Sequence, residues 1–113
     1  MKELIFMGDS KVSLSGFPDE VKREIGYVLR FAQDGKTHYK AKAFKGYPGV
    51  VEIVSPHRKE TYRAVYAYKI GARLYVLHAF QKKSKHGSET PKPDLDVIEA
   101  RYKAAKRMEE DNV

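Results

Sequence analysis

The segment between residues 61 and 81 constrains the fold of this chain most, because it holds two long runs of strand-forming residues around a short loop. Thr61 to Tyr68 and Ala72 to Gln81 are dense in Val, Tyr, Leu and Ala, and Gly71 can supply the left-handed conformation that a tight loop needs. Both runs carry apolar residues at odd and even positions. We therefore predict a β-hairpin at the centre of a sheet, covered on both faces.

The same hairpin determines which polar side chains can meet. Pairing outward from a loop at residues 69–71 places Arg63 roughly opposite Leu77, and Tyr62 roughly opposite His78. A slip of one residue would exchange the faces of these side chains. The prediction is therefore that Arg63 and His78 lie near each other in the sheet.

The N-terminal part of the chain predicts a short strand followed by helices. Leu4 to Phe6 is an apolar run typical of an edge strand, with the start of a helix as the alternative. After a Gly-Asp-Ser turn, one helical turn is predicted from Lys11 to Leu14. A long helix is predicted from Pro18 to about Gln33, because proline suits the first helical position and apolar residues follow at helical spacing. These apolar residues are Val21, Ile25, Val28, Leu29 and Ala32.

The remaining segments complete a small α+β fold. A strand near residues 41–44 ends in a turn, and a second strand from Val50 to Val54 is closed by Ser55-Pro56. A final helix is predicted from Pro93, with a frayed tail at Glu109 to Asp111. Its narrow apolar stripe is formed by Leu95, Ile98, Tyr102 and Ala105. We predict one domain over residues 1–113, in which N-terminal helices and a C-terminal helix pack on an antiparallel-rich twisted sheet of about four strands. The C-terminal helix and its frayed tail together occupy residues 91–113.

The charge of the chain favours a polyanionic partner. A net charge of +7 on 13.0 kDa, with a pI near 9.5, makes nucleic acid the first candidate. An acidic protein remains a second interpretation, since a dedicated inhibitor can also neutralise a basic surface. An anionic membrane fits less well, because no basic amphipathic helix with a bulky apolar face is visible.

Residue types that are missing exclude several classes of site. There are no cysteines, which excludes disulfides and thiolate catalysis, and the four histidines are scattered, so we predict no metal and no cofactor. No apolar run approaches the roughly 20 residues that span a bilayer. The N-terminal apolar run is too short for a secretory signal. We expect a cytosolic protein that does not bind membranes.

Cations are concentrated in the strand-forming half. Between His57 and His86 the only acidic residue is Glu60. Apolar strands would give these cations a rigid platform, so an anionic ligand is expected to lie across it. The residues concerned are Arg58, Lys59, Arg63, Arg73, Lys82, Lys83 and Lys85, with His57, His78 and His86 close by in sequence.

Several short sequence pieces occur in an order and spacing that together resemble the RelE/ParE superfamily of bacterial toxins. The similarity is greatest to the HigB-like branch, which also occurs in phages, and covers nearly the whole chain. The resemblance implies a small RelE-like fold. The pieces are Phe17-Pro18, Gln33-Asp34-Gly35, Lys42-Ala43-Phe44-Lys45-Gly46, Val51-Glu52-Ile53, Tyr62-Arg63-Ala64-Val65-Tyr66, Leu77-His78-Ala79-Phe80-Gln81-Lys82-Lys83-Ser84, Thr90-Pro91 and Ile98-Glu99-Ala100.

What the resemblance implies is a ribosome-dependent endonuclease that cuts mRNA in the decoding site without a metal. The RNA 2′-hydroxyl attacks the adjacent phosphate, so the site needs a base, cations for the transition state and an acid for the departing 5′-oxygen. Arg63 matches the family's sheet arginine, and Lys82 and Lys83 stand where the family places further cations. Glu52 matches an acid that some relatives use as the base, and His78 is an alternative base.

Further residues are predicted to contact RNA because cations bind phosphates and aromatic rings stack on unpaired bases. The predicted RNA-binding residues are Lys45, His57, Arg58, Tyr62, Arg73, Phe80 and Lys85, and His57 is also a candidate for the base. The resemblance implies two partners, namely mRNA in the ribosomal decoding site and a helix-turn-helix antitoxin encoded next to the toxin.

Each candidate also has a purely structural interpretation. Arg63 and Glu52 would form an ion pair within the sheet, His78 would be a packed core histidine, and Lys82 with Lys83 would be a solvated pair. Two other functions remain open at this point. One is a toxin of the same fold that inhibits DNA gyrase, and the other is a non-catalytic module that binds RNA or an antitoxin.

Overall fold

A five-stranded mixed sheet forms the centre of the protein in the computed structural model, which describes residues 1–82 and 89–111. The strand order is β1-β5-β4-β3-β2. The predicted α+β class is confirmed, with five strands where about four were expected. The elements are β1 Leu4–Phe6, α1 Ser10–Ser15, α2 Asp19–Gln33, β2 Ala41–Ala43, β3 Val50–His57, β4 Glu60–Ala67, β5 Leu74–Lys82 and α3 Lys92–Asp111.

The sheet is mostly antiparallel, as predicted. β1 runs parallel to β5, with Ile5 opposite Tyr75, whereas the β2–β3, β3–β4 and β4–β5 pairs are antiparallel. The two edge strands, β1 and β2, are each three residues long. The β3–β4–β5 meander is therefore the main body of the sheet.

Two apolar layers cover the sheet, one on each face. The α2 face packs Ile25 and Val28 of α2 against sheet residues such as Ile53 and Val76. The α3 face packs Ile98 and Ala105 of α3 against Val65, Tyr75 and Leu77, among others. The prediction that the hairpin is central and covered on both faces is confirmed, and the continuous apolar runs of β4 and β5 are explained by this double burial.

The predicted hairpin register was wrong. Arg63 pairs with Phe80 rather than Leu77, and Tyr62 pairs with Gln81 rather than His78. One cause is the loop, which spans residues 68–73 rather than the three residues assumed, and the other is a β-bulge at Val65/Tyr66 that leaves one extra residue on β5. Because His78 pairs with Val65, Arg63 and His78 are nevertheless diagonal neighbours on adjacent strands, as predicted.

Two predicted element ends also need correction. β3 does not close at Ser55-Pro56 but continues to His57, and the turn is formed by Arg58 and Lys59, with φ of 47° and 69°. Two positive φ values match the twist of a two-residue hairpin turn. The segment Glu109–Asp111, predicted as a frayed tail, belongs to α3, where Glu109 accepts a hydrogen bond from Arg73 at 3.3 Å.

Arg101 ties α3 to the rest of the fold. Its Nη1 donates to the carbonyl oxygen of Leu77 at 3.0 Å, and its Nη2 donates to Asp9 Oδ1 at 2.8 Å. These contacts join α3 to β5 and to the residue before α1. They hold the middle of α3 against the middle of β5.

No helix within residues 1–82 and 89–111 has both the length and the apolar character needed to cross a membrane.

Gly49 is expected to be intolerant of a side chain. It has φ of +78°, and an added Cβ would lie 2.6 Å from the Cβ of Lys69, so Gly49→Ala is expected to lower the free energy of unfolding by about 1–3 kcal/mol. Gly26→Ala is the matched control, because Gly26 lies in α2 and a Cβ added there would have no other atom within 4 Å. This variant should raise the free energy of unfolding by about 0.5–1 kcal/mol. Urea titration of both variants measures the difference, and equal stabilities would contradict the assigned backbone conformation.

Candidate functional site

Three charged side chains from adjacent strands meet on the α3 face of the sheet. Glu52 of β3, Arg63 of β4 and Lys82 of β5 form what is here called the charged cluster. Glu52 pairs with Val65, two residues from Arg63, and Lys82 pairs with Thr61, two residues from Arg63 on the other side. Since residues i and i+2 of a strand share a face, all three side chains project from the same face.

The ion pair within the charged cluster is close and almost fully buried. Arg63 Nη1 lies 2.9 Å from Glu52 Oε1, and the two side chains are 7% and 14% exposed. Glu52 Oε2 is buried and has no hydrogen-bond partner among the described residues. The carboxylate thus orients the guanidinium with one oxygen and retains a second oxygen that can accept a proton.

Lys82 adds a second buried cation beside Arg63. Lys82 is 5% exposed. Its burial, together with the neighbouring Arg63 charge, lowers the pKa of the Lys82 ammonium, although the charges of Glu52 and Glu89 act in the opposite direction. An ammonium with a lowered pKa gives up its proton more readily. The charged cluster therefore contains two cations and one anion, a net positive charge that can attract an anionic ligand.

His78 lies next to the charged cluster and is held by α3. Its Nε2 is 2.8 Å from Oδ1 of Asp94, and its ring stacks on Phe80 at 5.0 Å and 17°. Because the Asp94 carboxylate accepts a hydrogen bond from Nε2, a neutral His78 ring carries its proton on Nε2. The lone pair on Nδ1 is then available. Nδ1 is buried without a hydrogen-bond partner in the described part of the chain.

Sequence reasoning missed two residues of this region. Asp94 had a visible signal as an acid in the first turn of the last helix, but its contact with His78 depends on how α3 docks. Lys42 of β2 is the cross-strand neighbour of Glu52 and is exposed on the α3 face. Lys42 stands in one of the sequence pieces that carry the family resemblance, but no pattern in the sequence marked its side chain as a site residue.

The predicted RNA-binding residues are not all near the charged cluster. Phe80 is the direct cross-strand partner of Arg63, and Arg58 lies in the β3–β4 turn at the same end of the sheet as Lys82. Tyr62 projects from the opposite, α2 face, where its ring contacts Phe17 at 4.9 Å. The charged cluster is therefore flanked by part of the predicted set.

Three more of the predicted RNA-binding residues lie away from the charged cluster. His57 lies on the α2 face, where its Nδ1 is 3.6 Å from Glu20 Oε2. Arg73 lies at the opposite end of β5 from Lys82 and pairs with Glu109. Lys45 is exposed in the β2–β3 turn, also at the far end of the sheet. The predictions for Lys83 and Lys85 lie outside the described residues.

The described residues contain no group of three or more His, Asp or Glu side chains that could hold a metal ion. The chemical groups that the charged cluster and His78 provide are a carboxylate, an imidazole and two cations.

Comparison with known proteins identifies similar chains. The family described as "Phage derived protein Gp49-like" matches over residues 13–103, which include the charged cluster and His78. Among solved structures, the chain is similar to the crystal structure of the isolated E. coli RelE toxin in its P21 form. That similarity has 15% sequence identity and a TM-score of 0.55, covers 88% of this chain and 98% of the other, and concerns the fold alone. The chain has no match among curated proteins.

Proposed function

Because the chain belongs to the phage-derived Gp49-like family, which is a RelE-like toxin family, we propose that it is the toxin of a toxin–antitoxin pair and a ribosome-dependent mRNA endonuclease. The proposed place of action is the decoding site of the ribosome in the cytoplasm. The observation that carries the proposal is the convergence of Glu52, Arg63 and Lys82 on one face of the sheet.

The proposed reaction is an internal transesterification. A base removes the proton of the 2′-hydroxyl, the O2′–P bond forms, and the P–O5′ bond breaks, which leaves a 2′,3′-cyclic phosphate and a 5′-hydroxyl. Arg63 and Lys82 stabilise the additional negative charge on the phosphoryl oxygens as it develops. Lys82 donates its proton to the departing 5′-oxygen, and its lowered pKa supports this role.

Two groups of the region suit the role of base. Glu52 retains Oε2 without a hydrogen-bond partner among the described residues, and His78 retains Nδ1 while Asp94 holds its other nitrogen. Glu52→Gln and His78→Gln, each compared with the wild type in single-turnover cleavage on ribosomes, distinguish them. The substitution that removes the base should cause the larger fall in the cleavage rate, and a higher substrate concentration should not restore that rate.

Induction of the chain without its antitoxin tests the proposal. We expect translation to stop and new 5′-hydroxyl ends to appear within translated codons, whereas the same RNA without ribosomes stays intact. Growth arrest with intact mRNA would overturn the nuclease assignment, and DNA breaks after induction would instead indicate inhibition of gyrase. Tight RNA binding without cleavage on ribosomes would indicate a non-catalytic module.

The family also implies an antitoxin partner. The proposed antitoxin is a helix-turn-helix protein encoded in the adjacent reading frame. Its supporting observation on this chain is the net charge of +7, which an acidic segment can neutralise. Co-expression of the adjacent reading frame should restore growth, and failure to do so would overturn this assignment of the partner.

A further inference from the structure

Four aromatic rings form a contiguous row outside the core, and are here called the aromatic row: Tyr27, Phe31, His38 and Tyr39. Tyr27 lies 6.3 Å from Phe31, Phe31 meets the edge of His38 at 5.0 Å, and His38 stacks on Tyr39 at 4.6 Å. Tyr27 is 69% exposed and Tyr39 is 82% exposed. The two tyrosine rings at the ends of the row are therefore accessible to a ligand from solvent.

The sequence builds this row from a helix flank and the connection that follows it. Tyr27 and Phe31 are four residues apart on α2, beside the stripe that packs into the core. The connection returns to the helix because Lys36 N donates to the carbonyl oxygen of Phe31 at 2.8 Å. His38 is held in turn, since its Nδ1 accepts a hydrogen bond from Lys40 N at 3.1 Å. These hydrogen bonds hold the connection and His38 beside Phe31 on the helix.

A cleft with a volume of about 320 Å³ opens at the aromatic row. The charge of Glu24 in this cleft is offset by an ion pair with Lys40. Arg23, one helical turn before Tyr27, is exposed and has no ion-pair partner among the described residues. The cleft therefore combines aromatic faces with an excess of positive charge. Its lining residues are Arg23, Glu24, Tyr27, His38, Tyr39 and Lys40.

The location of the cleft separates it from the charged cluster. α2 packs on one face of the sheet, and Glu52, Arg63 and Lys82 project from the other face. A ligand in the cleft consequently cannot be the phosphodiester that lies on the charged cluster. It must be another part of the same polymer or another molecule.

We propose that the aromatic row is a second RNA-contact site, which stacks unpaired bases of single-stranded RNA while Arg23 binds a neighbouring phosphate. The inference rests on the proposed RNA target but does not depend on cleavage. Exposed rings flanked by cations have the composition of surfaces that bind single-stranded nucleic acid, where bases stack and the backbone is held electrostatically. A protein partner fits less well, because the centres of protein interfaces are depleted in lysine and glutamate, and Lys40 and Glu24 both line this cleft.

Fluorescence anisotropy with a labelled 12-nucleotide RNA tests the inference, with 2′-O-methyl riboses so that no attacking hydroxyl is present. Tyr39→Ala and Tyr27→Ala should each weaken binding by about 5- to 150-fold, which corresponds to about 1–3 kcal/mol of stacking per base. Tyr39→Trp should keep the affinity, because the indole also stacks. Val12→Ala is the control, since Val12 is an exposed apolar residue on α1 and its truncation should leave the affinity unchanged.

The salt dependence supplies an independent readout. Arg23→Gln should reduce the slope of log K against log salt by about 0.7, the value for one phosphate contact on a single strand. Wild-type affinity in both tyrosine variants, or no measurable binding by the wild type, would overturn the inference. Loss of antitoxin binding in these variants with unchanged RNA affinity would also overturn it and assign the aromatic row to the protein partner.

Failure of this inference and failure of the nuclease proposal have different signatures. If the wild type does not cut mRNA on ribosomes but Tyr39→Ala binds RNA more weakly, the nuclease proposal fails and the second site stands. If the wild type cuts and both tyrosine variants bind RNA normally, the nuclease proposal stands and the second site fails.

Discussion

Lys82→Met is expected to reduce the proposed ribosome-dependent mRNA cleavage by about 10²- to 10³-fold, the usual effect of removing one group that stabilises a transition-state charge. The same substitution should leave the free energy of unfolding equal to or above that of the wild type. Burial and the Arg63 charge lower the pKa of Lys82, so the fold disfavours its charged form, and methionine fills similar space without a charge. Single-turnover cleavage and urea unfolding measure the two effects.

Lys103→Met is the matched control for Lys82→Met. It removes the same charge from an exposed position on α3, where Lys103 pairs with Glu99 at 3.3 Å and is 63% exposed. Because such surface pairs contribute little, this variant should keep both activity and stability. A Lys82→Met protein that is strongly destabilised, or that cleaves at the wild-type rate, would contradict the assigned role.

Glu52→Ala is expected to lower the free energy of unfolding by about 3–5 kcal/mol, because it removes the carboxylate that lies 2.9 Å from the buried Arg63 guanidinium. For a domain of this size that is a large part of the total stability. Glu52→Leu combined with Arg63→Met should recover most of the loss, since a buried ion pair can be replaced by apolar side chains at little cost.

A double-mutant cycle over Glu52 and Arg63, measured by urea unfolding, tests this expectation. Glu52→Leu, Arg63→Met and the double variant complete the cycle, and the coupling energy should be large because the two groups are in contact. Additive effects of the two substitutions would show that the pair does not stabilise the sheet. The cycle measures the contribution of Glu52 to stability. Its role as a possible base is measured separately, by the cleavage assay of Glu52→Gln.

The elements that the sequence predicted best are those with strong periodicity. The helical spacing of Val21, Ile25 and Val28 defined α2 closely, and the continuous apolar runs around residues 61–81 predicted a doubly covered hairpin. The register could not be predicted, because the bulge at Val65/Tyr66 and the length of the loop depend on how the strands twist and pack.

The sequence could predict which residues belong to the candidate site, but it could not predict all the contacts that these residues make. Glu52, Arg63 and Lys82 could be selected from charge and from the family resemblance, and the structure places them on one face. The Asp94–His78 contact required the docking of α3, which no local pattern specifies. The aromatic row was invisible for a similar reason, since Tyr27 and Tyr39 come together only when the connection after α2 folds back.

The brevity of the two outer strands limits how another chain can recognise this protein. β1 and β2 are three residues long, and only alternate residues of an edge direct their peptide groups outward, so an added strand would gain about two main-chain hydrogen bonds on either side. Continuation of the sheet by a partner, or by a second copy of the chain, is correspondingly weak. Selectivity between partners must therefore come from side chains, which makes it adjustable by single substitutions on the surface.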